Sequence, residues 1–209
     1  MQLTLRRLLM KREISPLITA LFLIVGCFVL RLLNNYYPNF LPNVSPLMAV
    51  AYVGAMYLPR AWGWLVGPFV FLVTDLAFVQ TNLVTDGAMF SWLTLVMLVL
   101  YVMAGGFGLW IAQRKSLTKI LSGSLLCSLL FYIVTNTFSW WHNTDYAPTF
   151  AGWWQALTVG LPGYLPTWTF LRNSALGDLF FALLLLLVLD RGLLFGHASA
   201  RPAARAASV

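Results

Sequence analysis

The sequence predicts an all-α integral membrane protein with six transmembrane helices, and three observations predict it. Sixty per cent of the 209 residues are hydrophobic and 9% are charged, against about 25% charged in a soluble domain. The apolar residues fall in long runs, as in Ile18–Leu33 and Phe180–Leu189. Lipid offers no water to open backbone groups, so spans must be helices or a closed barrel. Barrel strands alternate apolar and polar residues over about 10 positions, and these runs do not. Lastly, the basic residues gather in alternate connections, as they do in a chain that crosses a membrane repeatedly.

Residues 1–13 form a basic lead with Arg6, Arg7, Lys11 and Arg12. The transmembrane domain is expected over 14–191. Its first span is expected at 15–33, before a loop rich in Asn, Tyr and Pro (Asn34–Pro46). The second, at 46–58, is shorter than the roughly 20 residues that cross a bilayer; it requires support from neighbours or a locally thin membrane. Pro59-Arg60 turns the chain into a third span at 61–80, and the polar loop Thr81–Gly87 leads to a fourth at 88–112. Arg114, Lys115 and Lys119 mark the turn into a fifth at 118–140. The aromatic stretch Trp141–Pro166 has room for an interfacial helix at Phe150–Val159, and the sixth span is expected at 168–190. The Ala-, Ser- and Arg-rich tail, with 192–209 beyond the domain, reads as disordered and cytoplasmic.

With the N-terminus inside, eleven of the thirteen Lys and Arg fall on the cytoplasmic side, leaving Arg31 and Arg172 outside. This bias predicts N-in, C-in topology in a bacterial inner membrane and explains the net charge of +7 without nucleic acid. Arg6-Arg7 followed by Ile24-Val25-Gly26-Cys27 also has the layout of a lipoprotein signal. The apolar run continues past Cys27 to Leu33, which favours an uncleaved span.

Cys27 and Cys127 lie inside apolar runs. No CxxC or HxxxH spacing indicates a disulfide framework or a metal site. No catalytic order of Ser, His and Asp, no phosphate loop and no nucleotide-binding glycine pattern is visible, so neither an enzyme nor an intrinsic cofactor is expected. The polar and aromatic groups concentrate on the outer side: Tyr36, Tyr37, Asn39 and Asn43; Asn82 and Asp86; Trp140, Trp141, His142, Asn143, Asp145 and Tyr146. A membrane-interface belt accounts for Trp and Tyr. It does not account for the amides, which suit a pocket for a large neutral ligand.

Within the spans, Asp75, Asn136 and Asp178 stand out, with Gln80 near the end of the third. An ionisable group inside a span is expensive and marks a functional candidate. The alternative is a polar clamp between helices, worth about 0.6 kcal/mol per bond. All three are placed to converge on one outward cavity. Ala51 with Ala55 and Ala104 with Gly108 have the four-residue spacing that lets helices approach closely. His197 lies in the tail, and His142 is the one imidazole near the expected pocket.

Taken together, the segments Tyr37-Pro38-Asn39-Phe40-Leu41-Pro42-Asn43-Val44-Ser45-Pro46, Thr74-Asp75-Leu76, Thr135-Asn136-Thr137-Phe138 and Gly177-Asp178-Leu179 resemble the S components of energy-coupling-factor (ECF) vitamin transporters. They are most similar to the cobalamin-specific BtuM branch, over about residues 14–191. The resemblance implies a vitamin captured from the periplasm and an energising module of one transmembrane coupling protein and two ATPases. The residues expected to form the ligand site, from their place in the outer loops and spans, are Tyr37, Asn39, Asp75, Gln80, Asn82, Asn136, Trp140, Trp141, His142, Tyr146 and Asp178. Many members of that branch place a cysteine near the outer end of the third span as a cobalt ligand. Here Ala77-Phe78-Val79-Gln80-Thr81-Asn82 has none. Thiolate ligation is therefore not expected, and the cobalt of a corrinoid would lie near Gln80 or His142. The alternatives are an S component for another vitamin and a membrane enzyme or assembly factor using Asp75 and Asp178.

Overall fold

A computed structural model describes residues 16–37, 44–80 and 91–194 of the chain. The described residues are helical, with no strand among them. Helix α1 is Pro16–Tyr36. The short α2, Leu47–Ala49, runs on as a π-helical turn, Val50–Gly54. A 3-10 turn at Gly63–Leu65 opens α3, Val66–Gln80. Then come α4 (Trp92–Ile111, with a 3-10 turn at Ala112–Arg114), α5 (Leu117–His142), α6 (Phe150–Leu157), α7 (Trp168–Leu189) and α8 (Arg191–Leu194).

Three helices are long and apolar enough to cross a membrane: Trp92–Arg114, Leu117–His142 and Trp168–Leu189. At 1.5 Å per residue, 20 to 26 residues extend about 30–39 Å, matching a hydrocarbon core of about 30 Å. Leu21–Leu33 and Gly63–Ala77 are shorter apolar helices. The outward faces carry Leu125, Leu129, Leu176, Phe180, Leu183 and Leu187, all exposed. In water that surface would be a liability; in lipid it is the solvent-facing side. This is a helical membrane protein.

Local sequence explains the helix boundaries. Ser91, Ser116 and Thr149 sit in extended conformation before α4, α5 and α6, and each accepts a backbone N–H from three residues on. Each thereby satisfies one orphan donor of a first turn. Pro68 lies in the first turn of α3, where its missing N–H costs nothing.

The centre of the bundle is α2. Every residue from Leu47 to Met56 is buried, and Tyr52 is fully enclosed. Its phenol donates to the Lys119 carbonyl at 3.0 Å and its ring stacks on Phe107. Two glycines make this possible. A Cβ at Gly108 would run into the Tyr52 carbonyl oxygen, and one at Gly123 into the Tyr52 hydroxyl. The spacing of Ala104 and Gly108 thus brings α4 against α2, where Gly108 also faces Ala55.

The two ends of the bundle differ chemically. At the basic end, Lys115 pairs with Asp190 at 2.6 Å, Tyr57 donates to the same carboxylate at 3.2 Å, and the Lys115 ammonium lies 4.2 Å from the Tyr57 ring centre. Burial pushes the Asp190 carboxyl up, but the Lys115 hydrogen bond and charge, with the Leu193 amide and the Tyr57 hydroxyl, bring it below the usual carboxylate value. The tail expected from Arg191 starts instead with a helical turn. Asp190 Oδ1 accepts the Leu193 amide at 3.2 Å, and Leu193 and Leu194 pack against the core. Residues 1–13 and 195–209 lie outside the described residues.

Candidate functional site

The aromatic end is built on the last turns of α5. Trp140 Nε1 donates to the Ala147 carbonyl at 2.9 Å and Trp153 Nε1 to Thr137 Oγ1 at 2.9 Å. The Tyr132 phenol donates to the Leu157 carbonyl. These bonds fold the 143–149 connection and α6 back onto α5. Trp141, Trp154 and Phe150 remain exposed, and Arg172 lies 5.4 Å from the ring centre of Trp168. Tyr146 is half-buried; burial first, and Asp145 second, push its phenol up.

Below this collar a groove of about 630 Å³ runs down the flank between α4 and α5. It is lined by Trp92, Val99, Met103, Val134, Phe138 and His142, among others. A second cavity of about 250 Å³ shares Leu100, Met103 and Leu130 with it and continues to Phe107 and Cys127. The volume falls in the range of small-molecule sites, and the walls are almost wholly apolar. His142 is the one ionisable side chain lining it. The ring stacks on Phe138 with centroids 4.0 Å apart, and Nδ1 lies 3.0 Å from the Phe138 carbonyl. A carbonyl oxygen only accepts, so this contact is a hydrogen bond when Nδ1 carries the hydrogen, and in that tautomer of the ring the lone pair sits on Nε2. That is the form of imidazole that binds a metal.

The chain belongs to the DUF6580 family. The match covers residues 11–191, and the family is described as one of unknown function. No curated protein and no solved structure matches the chain.

The expected site residues scatter over this DUF6580 fold. Of them, His142 lines the groove; Trp140 is committed to the Ala147 carbonyl, and Trp141 and Tyr37 are exposed. Asn136 turns back on its own helix, its Nδ2 donating to the Tyr132 carbonyl at 2.8 Å. Asn39, Asn82 and the side chain of Gln80 lie outside what the structure describes.

Asp75, Asn136 and Asp178 were expected on one outward cavity, and none of them lines the groove. Asp75 bridges α3 to α1 through Arg31, at 2.6 Å. Arg31 also donates to Thr74 Oγ1 and lies over the Phe71 ring at 5.6 Å. The physical reason is charge. Arg31 lies three-quarters of the way along α1, level with Asp75, and two opposite charges at that depth pair rather than face lipid. Asp178 lies halfway along α7, where Ser128 of α5 reaches Oδ2 at 2.6 Å. The sequence reading missed Ser124 and Ser128, whose four-residue spacing on α5 was the available signal, and the Lys115–Asp190–Tyr57 cluster.

Proposed function

We propose that this chain is the substrate-binding membrane subunit of a vitamin-uptake system, of the ECF S-component type, and that its ligand is cobalamin or a related corrinoid. In this reading α1, α2, α3, α4, α5 and α7 are the six spans of an inner-membrane protein. The basic end, with Arg60, Arg114, Lys115 and Arg191, faces the cytoplasm with both termini, and the aromatic end faces the periplasm. The observation that carries the reading is the groove beneath the aromatic collar with His142 among the residues that line it. A corrin ring is broad and partly apolar and lies well against Trp and Phe faces, while its cobalt takes a neutral imidazole. Cys27 is buried away from the groove and Cys127 lines the deeper cavity but not the groove itself, which supports ligation without a thiolate. Asp75 and Asp178 are both engaged between helices, which favours a transport subunit over an enzyme using the pair. The chain would work with a transmembrane coupling protein and two ATPases.

The test is titration of the detergent-purified protein with cobalamin and with cobinamide, followed by calorimetry and visible absorption. Saturable heat and retained colour are expected. His142→Ala should weaken binding and remove the part of the spectral change due to imidazole ligation, and alkylating reagents should leave binding intact. A monodisperse sample that gives no heat and keeps no colour with either compound rejects the corrinoid.

A further inference from the structure

The deeper cavity between α4 and α5 opens on the flank of the bundle. Its floor, with Met48, Ala104 and Cys127, is buried, whereas Met103, Leu126 and Leu130 on its rims are exposed. In a membrane those rims stand in hydrocarbon, so the cavity is a cleft that faces acyl chains. Along α4 it extends from Leu100 to Phe107, about 10 Å of helix. A volume of about 250 Å³ over that length is a mean section of about 25 Å², against about 80–110 Å² for a helix 10–12 Å across. A single hydrocarbon chain fits such an opening and a transmembrane helix does not.

The stripes that line the cleft lead to two cations at the basic end. On α4, Trp110 follows Phe107 by three residues, and its exposed ring stacks on that of Phe107 with centroids 5.8 Å apart. Arg114 follows Trp110 by four residues, and on α5 Lys119 precedes Leu126 by seven. Spacings of three, four and seven keep to one face of a helix. Both cations are exposed. Lys119 Nζ donates to the Arg114 carbonyl at 3.1 Å, which holds the ammonium over the end of α4. Among the described residues no carboxylate pairs with either; the ion pairs are Arg31–Asp75 and Lys115–Asp190. The cleft begins about 10 Å and ends about 20 Å from the level of these cations, at 1.5 Å per residue. One leaflet with its headgroups is about 20–22 Å deep. A lipid whose phosphate sits at Arg114 and Lys119 therefore has the far half of a chain level with the cleft.

We propose that the α4–α5 flank binds one anionic phospholipid, of the phosphatidylglycerol type, from the leaflet at the basic end. Its phosphate lies between Arg114 and Lys119, its glycerol beside Trp110, and the end of one acyl chain in the cleft. Arg114 offers a fork to the phosphate oxygens, and Lys119 the two ammonium hydrogens not spent on the Arg114 carbonyl. A zwitterionic headgroup brings a cation of its own to the two already there, so charge selects the anionic lipid. Met48 and Met103 are flexible enough to follow the shape of the chain. This site does not depend on the corrinoid reading.

Native mass spectrometry of the detergent-purified full chain, given palmitoyl-oleoyl phosphatidylglycerol or the matching phosphatidylcholine, tests this. One phosphatidylglycerol should be retained in preference to phosphatidylcholine. Arg114→Gln with Lys119→Gln should reduce that preference roughly fivefold for each cation removed. Arg60→Gln with Arg191→Gln removes the same charge from the segments after α2 and α7 and should leave it unchanged. Leu126→Trp, which fills the mouth of the cleft from an exposed position, should lower retention of phosphatidylglycerol. Equal retention of the two lipids, equal loss in both double variants, or full retention by Leu126→Trp overturns the proposal. So does displacement of the lipid by inorganic phosphate, which makes the cations a site for the free anion. A lipid-free dimer also overturns it, because a second copy then covers the cleft.

Discussion

Substituting alanine at two positions of one helix, Gly108→Ala and Gly106→Ala, should have opposite effects on stability. Both lie in the interior of α4, and both gain about 1 kcal/mol or less of helix preference. They differ in what the new methyl meets. At 106 nothing lies within 4 Å. At 108 the methyl runs into the Tyr52 carbonyl oxygen, with the Tyr52 carbonyl carbon at 3.1 Å and the Ala55 Cβ at 3.4 Å. Tyr52 cannot yield: it is fully buried and anchored through Lys119. Overpacking of this kind costs about 1–3 kcal/mol. Because the helix preference is common to both variants, the difference between them isolates that cost. Thermal unfolding in one detergent, read by loss of the monodisperse peak, should place Gly106→Ala level with or above the unaltered chain and Gly108→Ala clearly below. Equal midpoints for the two would show that α4 does not press on α2 as described.

Arg31→Ala should destabilise more than the double change Arg31→Ala with Asp75→Asn, because the single change strands a carboxylate in the membrane; equal losses in the same unfolding assay would remove the pair's role. The folded-state value of Asp190 is lowered, so its contribution is complete above the ordinary carboxylate value of about 3.9 and fades as pH falls through the lower folded value. Asp190→Asn should therefore cost stability at neutral pH and progressively less on acidification, measured as the gap in thermal midpoint at each pH. A reporter enzyme fused after residue 209 should be active only in its cytoplasmic form, and periplasmic activity would overturn the six-span topology.

The helices were legible where hydrophobicity suffices. The expected spans at 118–140 and 168–190 correspond to Leu117–His142 and Trp168–Leu189, and the interfacial helix at Phe150–Val159 to Phe150–Leu157. A long apolar stretch in lipid has few alternatives to a helix, so its ends follow from Ser, Thr and Pro. The site was harder to read, because polarity along a sequence does not say where a side chain turns. Asn136 looked like an offered amide, yet its nitrogen returns to its own helix. Asp75 was weighed between a cavity and a helix clamp, and its partner, Arg31, lies 44 residues away in the sequence. The groove is hidden for the opposite reason: Leu95, Val99 and Met103 are apolar residues like any others of a span, and only the position of α5 makes a cavity of them.

The enclosed α2 also bears on how the chain enters a membrane. Leu47–Gly54 comprises eight helical residues, about 12 Å of rise, less than half of a hydrocarbon core of about 30 Å. Such a segment has no hold on lipid by itself, and the non-helical backbone before it, from Val44 to Pro46, which lies against Gly177 of α7, is admissible at depth only when wrapped in protein. The synthesising machinery therefore cannot deliver α2 as a finished span. It has to be held until α4, with Gly108, and α5, with Gly123, arrive to close over Tyr52. The enclosure of Tyr52 is accordingly complete only once the fifth helix is in place.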